Sequence, residues 1–154
     1  MASDLELSVE DLREVAHGCV CVSVRRVARA LTRAYDEALR PSGLTITQFS
    51  LLVGVALAGG PSIGQLAEIL GLERTTLTRD LRPLRERGLV DLRVGDDRRS
   101  RVVGITAAGR RAAAEALPRW REAQARVLDD HTAQAWPGLA AGLLALEHSA
   151  TGAA

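Results

Sequence analysis

The sequence predicts a mainly α-helical protein with one small β-hairpin, and three observations lead to this fold class. Apolar residues recur at helical spacing along most of the 154 residues, and capping motifs stand where several of these patterns begin. Val90, Leu92 and Val94 instead alternate with charged residues, as in a strand, and a polar turn separates them from Val103 and Ile105. A content of 47% hydrophobic and 25% charged residues excludes a collagen-like or wholly disordered chain.

The first element is a long amphipathic helix. Ser8, followed three residues later by Asp11, resembles a capping box, and an apolar stripe continues as far as Leu39. Pro41-Ser42-Gly43 ends it, so we expect a single helix from about Val9 to Arg40, about 48 Å long. A small domain cannot cover such a helix by itself, and we therefore expect part of it to pack on a partner chain.

Three shorter helices follow. Thr45 with Gln48 opens one that reaches Ala58, and Ser62 with Gln65 opens the next. A turn at Gly71-Leu72 leads into a polar helix from about Glu73 to Arg87. This order is typical of a helix-turn-helix, and the hairpin that follows directly makes it a winged helix.

Pro83 lies inside the last of these three helices. It removes the amide that would donate to the Arg79 carbonyl, so we expect a kink or an early end of the regular helix there. Only the first two turns are then expected to be regular, and Arg85 and Arg87 lie beyond them.

The chain ends in further helices. Thr106 caps a second long helix, from about Ala107 to His131, which Pro118 should kink or interrupt, and a last amphipathic helix follows Pro137-Gly138. The predicted domains are an N-terminal dimerisation helix (1–44), a winged helix-turn-helix DNA-binding domain (45–106) and C-terminal dimerisation helices (107–154).

The distribution of charge favours a nucleic-acid partner. All 20 basic residues are arginine, and the net charge of the chain is only +1. The stretch from Arg74 to Arg101, however, carries nine arginines against five acids. A basic segment in an otherwise balanced chain is typical of a surface that binds nucleic acid.

These segments resemble the MarR family of bacterial winged-helix transcriptional regulators over about residues 9–150. The resemblance rests on Leu44-Thr45-Ile46-Thr47-Gln48-Phe49, Ser62-Ile63-Gly64-Gln65-Leu66-Ala67, Gly71-Leu72-Glu73-Arg74-Thr75-Thr76-Leu77-Thr78-Arg79, Arg87-Gly88-Leu89-Val90, Asp97-Arg98-Arg99 and Ile105-Thr106-Ala107-Ala108-Gly109. It implies a homodimer built from the terminal helices, with one winged helix per subunit on a palindromic double-stranded DNA operator.

The predicted DNA-binding residues lie in the helix-turn-helix and the wing. Arginine can bind guanine O6 and N7 together, and threonine offers a hydroxyl and a methyl group to a base. A braced wing arginine can enter the minor groove, and its neighbours can contact phosphates. The predicted residues are Ser62, Gln65, Arg74, Thr75, Thr76, Thr78, Arg79, Arg82, Asp97, Arg98, Arg99 and Arg101, with Leu77, Leu81 and Leu84 packing inward. Because of Pro83, base contacts are expected from the first two turns of this helix, with Arg85 and Arg87 contacting the DNA backbone at most.

Cys21 and Tyr35 form a possible redox site. They match the reactive cysteine and a supporting tyrosine of the organic-hydroperoxide-sensing MarR subfamily, although Arg25 and Ile46 stand where that subfamily has further tyrosines. We favour the alternative, a buried structural cysteine, because free cysteine is among the residue types most often buried. Cys19 cannot pair with Cys21 within one helix, because neighbours two apart point in opposite directions.

The remaining expectations concern ligands and chemistry. A small aromatic effector could bind near Arg25, Arg29 and Phe49, as the resemblance implies. We predict no catalytic residues, cofactor or metal site, because no catalytic set appears and only His17 and Cys21 share a helix face. No apolar run is long enough to span a membrane, and a cytoplasmic location is expected.

The sequence thus favours a ligand-released repressor. Two alternatives remain open. One is a thiol-based peroxide-sensing repressor that uses Cys21. The other is a winged helix that docks proteins without binding DNA, which should show apolar or acidic residues on the outward face of the fourth helix, where this sequence has arginine and threonine.

Overall fold

The computed structural model describes residues 7–95 and 101–152, with the backbone but not the side chains of residues 130 and 131. Within these ranges the chain forms seven α-helices, one 3₁₀ turn and one antiparallel β-hairpin, which confirms the predicted fold class. The chain divides into two compact units at the boundary between Ala34 and Tyr35. The domain boundaries expected at 44/45 and 106/107 remain predictions.

The first unit contains α1 (Val9–Gly18) and the beginning of α2 (Val20–Leu39). Ser8 caps α1 as predicted: its Oγ accepts a hydrogen bond from the Asp11 amide at 3.1 Å, and the Asp11 carboxylate accepts one from the Ser8 amide at 2.9 Å. These bonds lower the pKa of Asp11. The capping box therefore fixes where the first helix begins.

The prediction of one helix from Val9 to Arg40 is wrong. Cys19 separates α1 from α2 with an extended backbone (φ −70°, ψ 109°), and α2 ends at Leu39 before a 3₁₀ turn, Arg40–Ser42. Gly18 and the β-branched Val20 and Val22 flank this break, and both residue types have low helix propensity. An apolar stripe with helical spacing does not require an unbroken helix.

Three helices form the helix-turn-helix region: α3 (Ile46–Ala58), α4 (Ile63–Ile69) and α5 (Arg74–Glu86). Thr45 and Ser62 cap α3 and α4 with full capping boxes, which confirms the predicted starts. Gly71, at φ 61°, makes the left-handed turn between α4 and α5 that a side chain would strain. The expected early end of α5 is wrong, because the helix continues through Pro83 to Glu86. The lost amide affects only the last turn.

A single apolar core lies between these helices and the hairpin. Its largest fully buried side chains come from α2 to α5 and from the hairpin and are Leu39, Leu51, Leu52, Val55, Leu66, Leu77, Leu84 and Val103. The three leucines predicted to point inward from α5, Leu77, Leu81 and Leu84, are at most 3% exposed. Their burial fixes which face of α5 is left outward.

The hairpin consists of β1 (Val90–Val94) and β2 (Arg101–Ile105) in antiparallel register, with Leu92 opposite Val103. The segment between α3 and α4 also pairs with the hairpin, because the Val103 amide donates to the Pro61 carbonyl at 2.8 Å and Ser62 forms an isolated β-bridge with Val102. The wing is therefore joined to the start of α4 as well as to the end of α5.

The base of the wing is held by a close backbone contact. The Thr106 amide and hydroxyl donate to the Leu89 and Gly88 carbonyls at 3.1 and 2.7 Å, and Thr106 Oγ1 accepts from the Gly109 amide at 3.0 Å. A Cβ atom on Gly109 would lie 2.0 Å from the Leu89 carbonyl oxygen. Only glycine allows this approach.

The last two helices are α6 (Ala107–Val127) and α7 (Asp130–Thr151). The expectations that α6 reaches His131 and that the last helix follows Pro137-Gly138 are wrong, since α6 ends at Val127 and Pro137 lies inside α7. Pro118 does not interrupt α6, and the kink expected there remains a prediction. Asp129 explains the new boundary, because its carboxylate accepts from the Thr132 amide at 2.9 Å and caps α7 before Pro137.

None of the helices in the described ranges is by itself long and apolar enough to cross a membrane. The helical segments Val20–Ser42 and Ile46–Ala58 have the length and apolar composition of a membrane span only when the bent pair is taken together.

We expect Gly109→Ala to destabilise the protein by about 1–3 kcal/mol, because the new methyl group cannot share space with the Leu89 carbonyl. Gly138→Ala is the matched control. It lies inside α7, a Cβ there meets nothing within 4 Å, and it should add about 0.5–1 kcal/mol through helix propensity. Urea unfolding measures both. A Gly109→Ala variant as stable as wild type would contradict the close contact.

Candidate nucleic-acid interface

Helix α5 has one buried and one polar face. Opposite the buried leucines lie the side chains predicted to read DNA: Arg74, Thr75, Thr78, Arg79 and Arg82 are exposed, and Thr76 is half-buried. Their outward orientation is confirmed, and their roles in binding DNA remain predictions. This face carries the residue types that recognise bases and phosphates.

The electrostatics of α5 favour an anion at its N-terminus. Four arginines and two acids lie between Arg74 and Glu86, and the first turn contains no acid. Glu73 is the N-cap residue of α5, and its side chain makes no capping hydrogen bond. The first amides of the helix therefore receive no acceptor from the cap residue. The partial positive charge of the helix end therefore adds to the charge of Arg74.

Gly64 is a residue that the sequence reasoning missed. A Cβ atom at this position of α4 would lie 3.0 Å from Nη2 of Arg74, so the guanidinium of Arg74 rests against α4 at the glycine. A glycine inside a predicted helix was the available signal, since glycine there is unfavourable unless another group approaches closely. Gly64 helps to position Arg74.

Intramolecular contacts leave the other α5 side chains partly available. The Thr78 hydroxyl donates to the Arg74 carbonyl at 2.8 Å, which leaves its methyl group and its acceptor positions free for a base. Arg79 Nε lies 3.2 Å from Asp80 Oδ1, and Arg82 lies 3.9 Å from Glu86. Exposed pairs of this kind contribute about 0–1 kcal/mol, so a phosphate or guanine can replace the carboxylate.

Ser62 and Gln65 both have a structural role. The Gln65 amide donates to Ser62 Oγ at 3.2 Å, and the Ser62 amide donates to Gln65 Oε1 at 2.9 Å. The Ser62 hydroxyl proton and the Gln65 side-chain NH₂ are still able to donate to a phosphate. Their predicted DNA contacts would therefore come from donors that the capping box does not use.

The wing is described only in part. Arg101 is exposed at the start of β2, opposite Val94. Arg93 donates from Nε and Nη2 to Asp91 Oδ2 at 3.0 and 2.6 Å. Asp97, Arg98 and Arg99, predicted to brace the wing and enter the minor groove, lie outside the described residues.

Arg85 and Arg87, expected to contact the DNA backbone at most, lie at the end of α5. Arg85 is exposed, whereas Arg87 Nη1 donates to the Gly43 carbonyl at 2.8 Å and joins the end of α5 to the turn before α3. One of the arginines in the basic segment therefore supports the fold.

The candidate sensing residues occupy different environments. Cys21, Arg25 and Arg29 are exposed in the first unit. In the second unit, the Tyr35 hydroxyl donates to Gln124 Oε1, and burial raises the pKa of the phenol. Phe49 is 5% exposed, and its ring centroid lies 6.2 Å from that of Trp120 in a stacked arrangement.

Histidine, cysteine and carboxylate side chains do not come together in a metal-binding group of three or more anywhere in the described part of the chain.

Comparisons with known proteins agree with this geometry. A model of the MarR family matches residues 42–100. The Mycobacterium tuberculosis transcriptional regulator MosR, solved in complex with DNA, is 43% identical over 87% of this chain and 97% of MosR, with a TM-score of 0.80. CouR from Rhodococcus jostii RHA1, solved with p-coumaroyl-CoA, is 26% identical over 80% of this chain and 87% of CouR, with a TM-score of 0.69.

A curated relative gives a shorter alignment. The uncharacterized HTH-type transcriptional regulator YwoH of Bacillus subtilis is 31% identical over 83 residues, which span 54% of this chain and 61% of YwoH. The alignment with MosR covers nearly the whole of both proteins, and the family match falls on the helix-turn-helix and wing. The chain therefore belongs to the MarR family of DNA-binding transcriptional regulators.

Proposed function

We propose that this protein is a homodimeric repressor that binds a palindromic operator and releases it when a small ligand binds. The observation that carries the proposal is the polar face of α5. It presents arginine and threonine to solvent, and the burial of Leu77, Leu81 and Leu84 in the core fixes its orientation. A protein-docking winged helix would need an apolar or acidic face at this position.

The proposed docking places the first two turns of α5 in the major groove. Arg74 and Arg79 are the arginines of these turns, and the N-terminus of the helix points its partial positive charge at a phosphate. Arg99 at the wing tip is proposed to enter the flanking minor groove, with Arg98 and Arg101 near phosphates. In a dimer, half-sites lie about 10 base pairs apart.

Exposed apolar side chains support the dimer. In α1 and the beginning of α2, Leu12, Val15, Val20 and Val27 are 52–63% exposed. In α7, described separately, Trp136, Leu139, Leu143, Leu144 and Leu146 are 40–57% exposed. Helices that expose this many large apolar side chains typically pack on a partner. A second copy of the chain is the partner that we propose.

Release by a small ligand is proposed from a relative. CouR, which shares the fold at 26% identity, has been solved with p-coumaroyl-CoA. The candidate contacts in this chain remain Arg25, Arg29 and Phe49. Arg25 and Arg29 lie one turn apart on α2 and are exposed, which allows both guanidinium groups to meet one anionic or phenolic ligand.

A second candidate trigger is oxidation of Cys21. Cys21 is exposed at the start of α2, with Arg25 one turn later, so a hydroperoxide can reach the sulfur. The thiolate would attack the O–O bond of a hydroperoxide, releasing the alcohol and leaving a sulfenic acid. A second thiol would then condense with it to a disulfide and water. Because Cys19 lies at the helix break, the argument that one helix keeps the two thiols apart does not apply.

We expect sedimentation equilibrium to give twice the 16.4 kDa mass of one chain at micromolar concentration. Leu143→Glu should produce monomers, because it places a charge in the proposed interface. Leu57→Glu is the matched control: Leu57 is 83% exposed on α3, outside the terminal helices, and its replacement should leave the dimer intact. A folded wild-type monomer would contradict the proposal.

We expect Arg79→Ala to cost about 1–3 kcal/mol at particular base pairs and to relax specificity there. The measurement compares binding to an operator selected by the wild type, to its single-base variants and to random DNA. Arg85→Ala, on the same helix beyond the first two turns, should change binding about equally on all three. Equal losses on operator and random DNA for Arg79→Ala would show that Arg79 does not read a base.

The redox candidate predicts that cumene hydroperoxide releases the operator from the wild type and not from Cys21→Ser. Cys19→Ser separates the two steps: it should still form the sulfenic acid, and should lose the disulfide if Cys19 supplies the second thiol. Mass spectrometry and operator binding measure these outcomes. Unchanged binding by the oxidised wild type would leave Cys21 without a sensing role.

A further inference from the structure

The face of the hairpin that points away from the core borders a cavity of about 300 Å³. Arg93 and Val102 line it from the two strands, and Arg110 lines it from the first turn of α6. The turn after α3 borders it with Gly59 and Gly60, which have positive φ and no side chains to fill the space, and both arginines are exposed, so the cavity opens to solvent. The volume lies at the lower end of the range for small-molecule sites.

The charge around this cavity is not balanced. Arg93 is paired with Asp91 through Nε and Nη2, which leaves three of its five N–H groups unused. The other oxygen of Asp91 is buried and close to Gly104. Arg110 makes no hydrogen bond or ion pair with any described residue, so one full positive charge at the cavity has no counterion within the described chain.

The position of Arg110 increases this imbalance. The first turn of α6 contains Arg110 and no acid, although a helix N-terminus favours negative charge. An exposed arginine there gains nothing from the helix end, whereas an anion would interact favourably with both. The cavity is the space in which such an anion would meet both Arg110 and the free donors of Arg93.

We propose that this cavity binds a small oxyanion, a carboxylate or a phosphate, between Arg93 and Arg110. Guanidinium groups bind both anions through paired N–H donors, and charge-assisted bonds are the strongest kind available here. A bound oxyanion would join β1 to the start of α6 and so brace the base of the wing. The site uses none of the side chains of the polar face of α5 and none of the exposed apolar side chains of α1, α2 and α7 proposed to form the dimer.

The test is calorimetric titration of the DNA-free protein with inorganic phosphate and with benzoate, at constant ionic strength. We expect saturable binding of at least one probe, one per chain, with a Kd below about 1 mM. Arg110→Ala should weaken it by about tenfold or more, the effect of losing charge-assisted bonds. Arg111→Ala is the matched control, because Arg111 is the next residue of α6 and does not line the cavity, and it should bind as wild type does within about twofold.

A second measurement distinguishes the source of the oxyanion, and only this one rests on the proposed function. If the site takes a DNA phosphate, Arg110→Ala lowers the slope of log affinity against log salt by about 0.9, and Arg111→Ala does not. Thermal melting of the free variants checks that both remain folded. The proposal is overturned if neither probe binds and the slope is unchanged, or if Arg111→Ala loses as much as Arg110→Ala.

Discussion

The close contact between Gly109 and the Leu89 carbonyl is the constraint on which the rest of the winged helix depends. Leu89 follows α5, and Gly109 lies in the first turn of α6, so this contact closes the chain segment that contains the hairpin. Thr106 joins the same two points through bonds to the Gly88 and Leu89 carbonyls. The wing therefore leaves the domain from a fixed base, and its orientation to α5 is set where the helix ends.

This constraint also links α5, the helix proposed to contact bases, to the core. The Leu89 amide donates to the Leu84 carbonyl at 2.8 Å, so the same residue that meets Gly109 ends α5. Leu84 is fully buried, and the Arg87 guanidinium at the end of α5 donates a hydrogen bond to the Gly43 carbonyl. A helix fixed at its C-terminus and packed through three leucines presents its first two turns in one orientation, as direct reading of bases requires.

The local signals in the sequence predicted the fold well where a short motif decides the structure by itself. The capping boxes at Ser8, Thr45 and Ser62 all form, and the alternating strand pattern gives the observed hairpin.

The sequence-based expectations were wrong where two weak effects compete. The break at Cys19 depends on low helix propensity against a continuous apolar stripe, and the start of α7 depends on Asp129, which outweighs the proline inside the helix. For the interface, the sequence predicted which residues face outward, but a contact such as Gly64 with Arg74 becomes visible only after packing.

Because every basic residue is arginine, residue type alone cannot distinguish the arginines that support the fold from those that bind anions. Their partners can. Arg87 donates to a backbone carbonyl that no solvent ion replaces well, and it belongs to the fold. Arg79, Arg82 and Arg93 are exposed and paired with neighbouring carboxylates, which keep the side chain in place and yield to a phosphate at little cost. Arg74 and Arg110 each lie at a helix start without an acid in the first turn, where the helix end and the guanidinium favour the same anion.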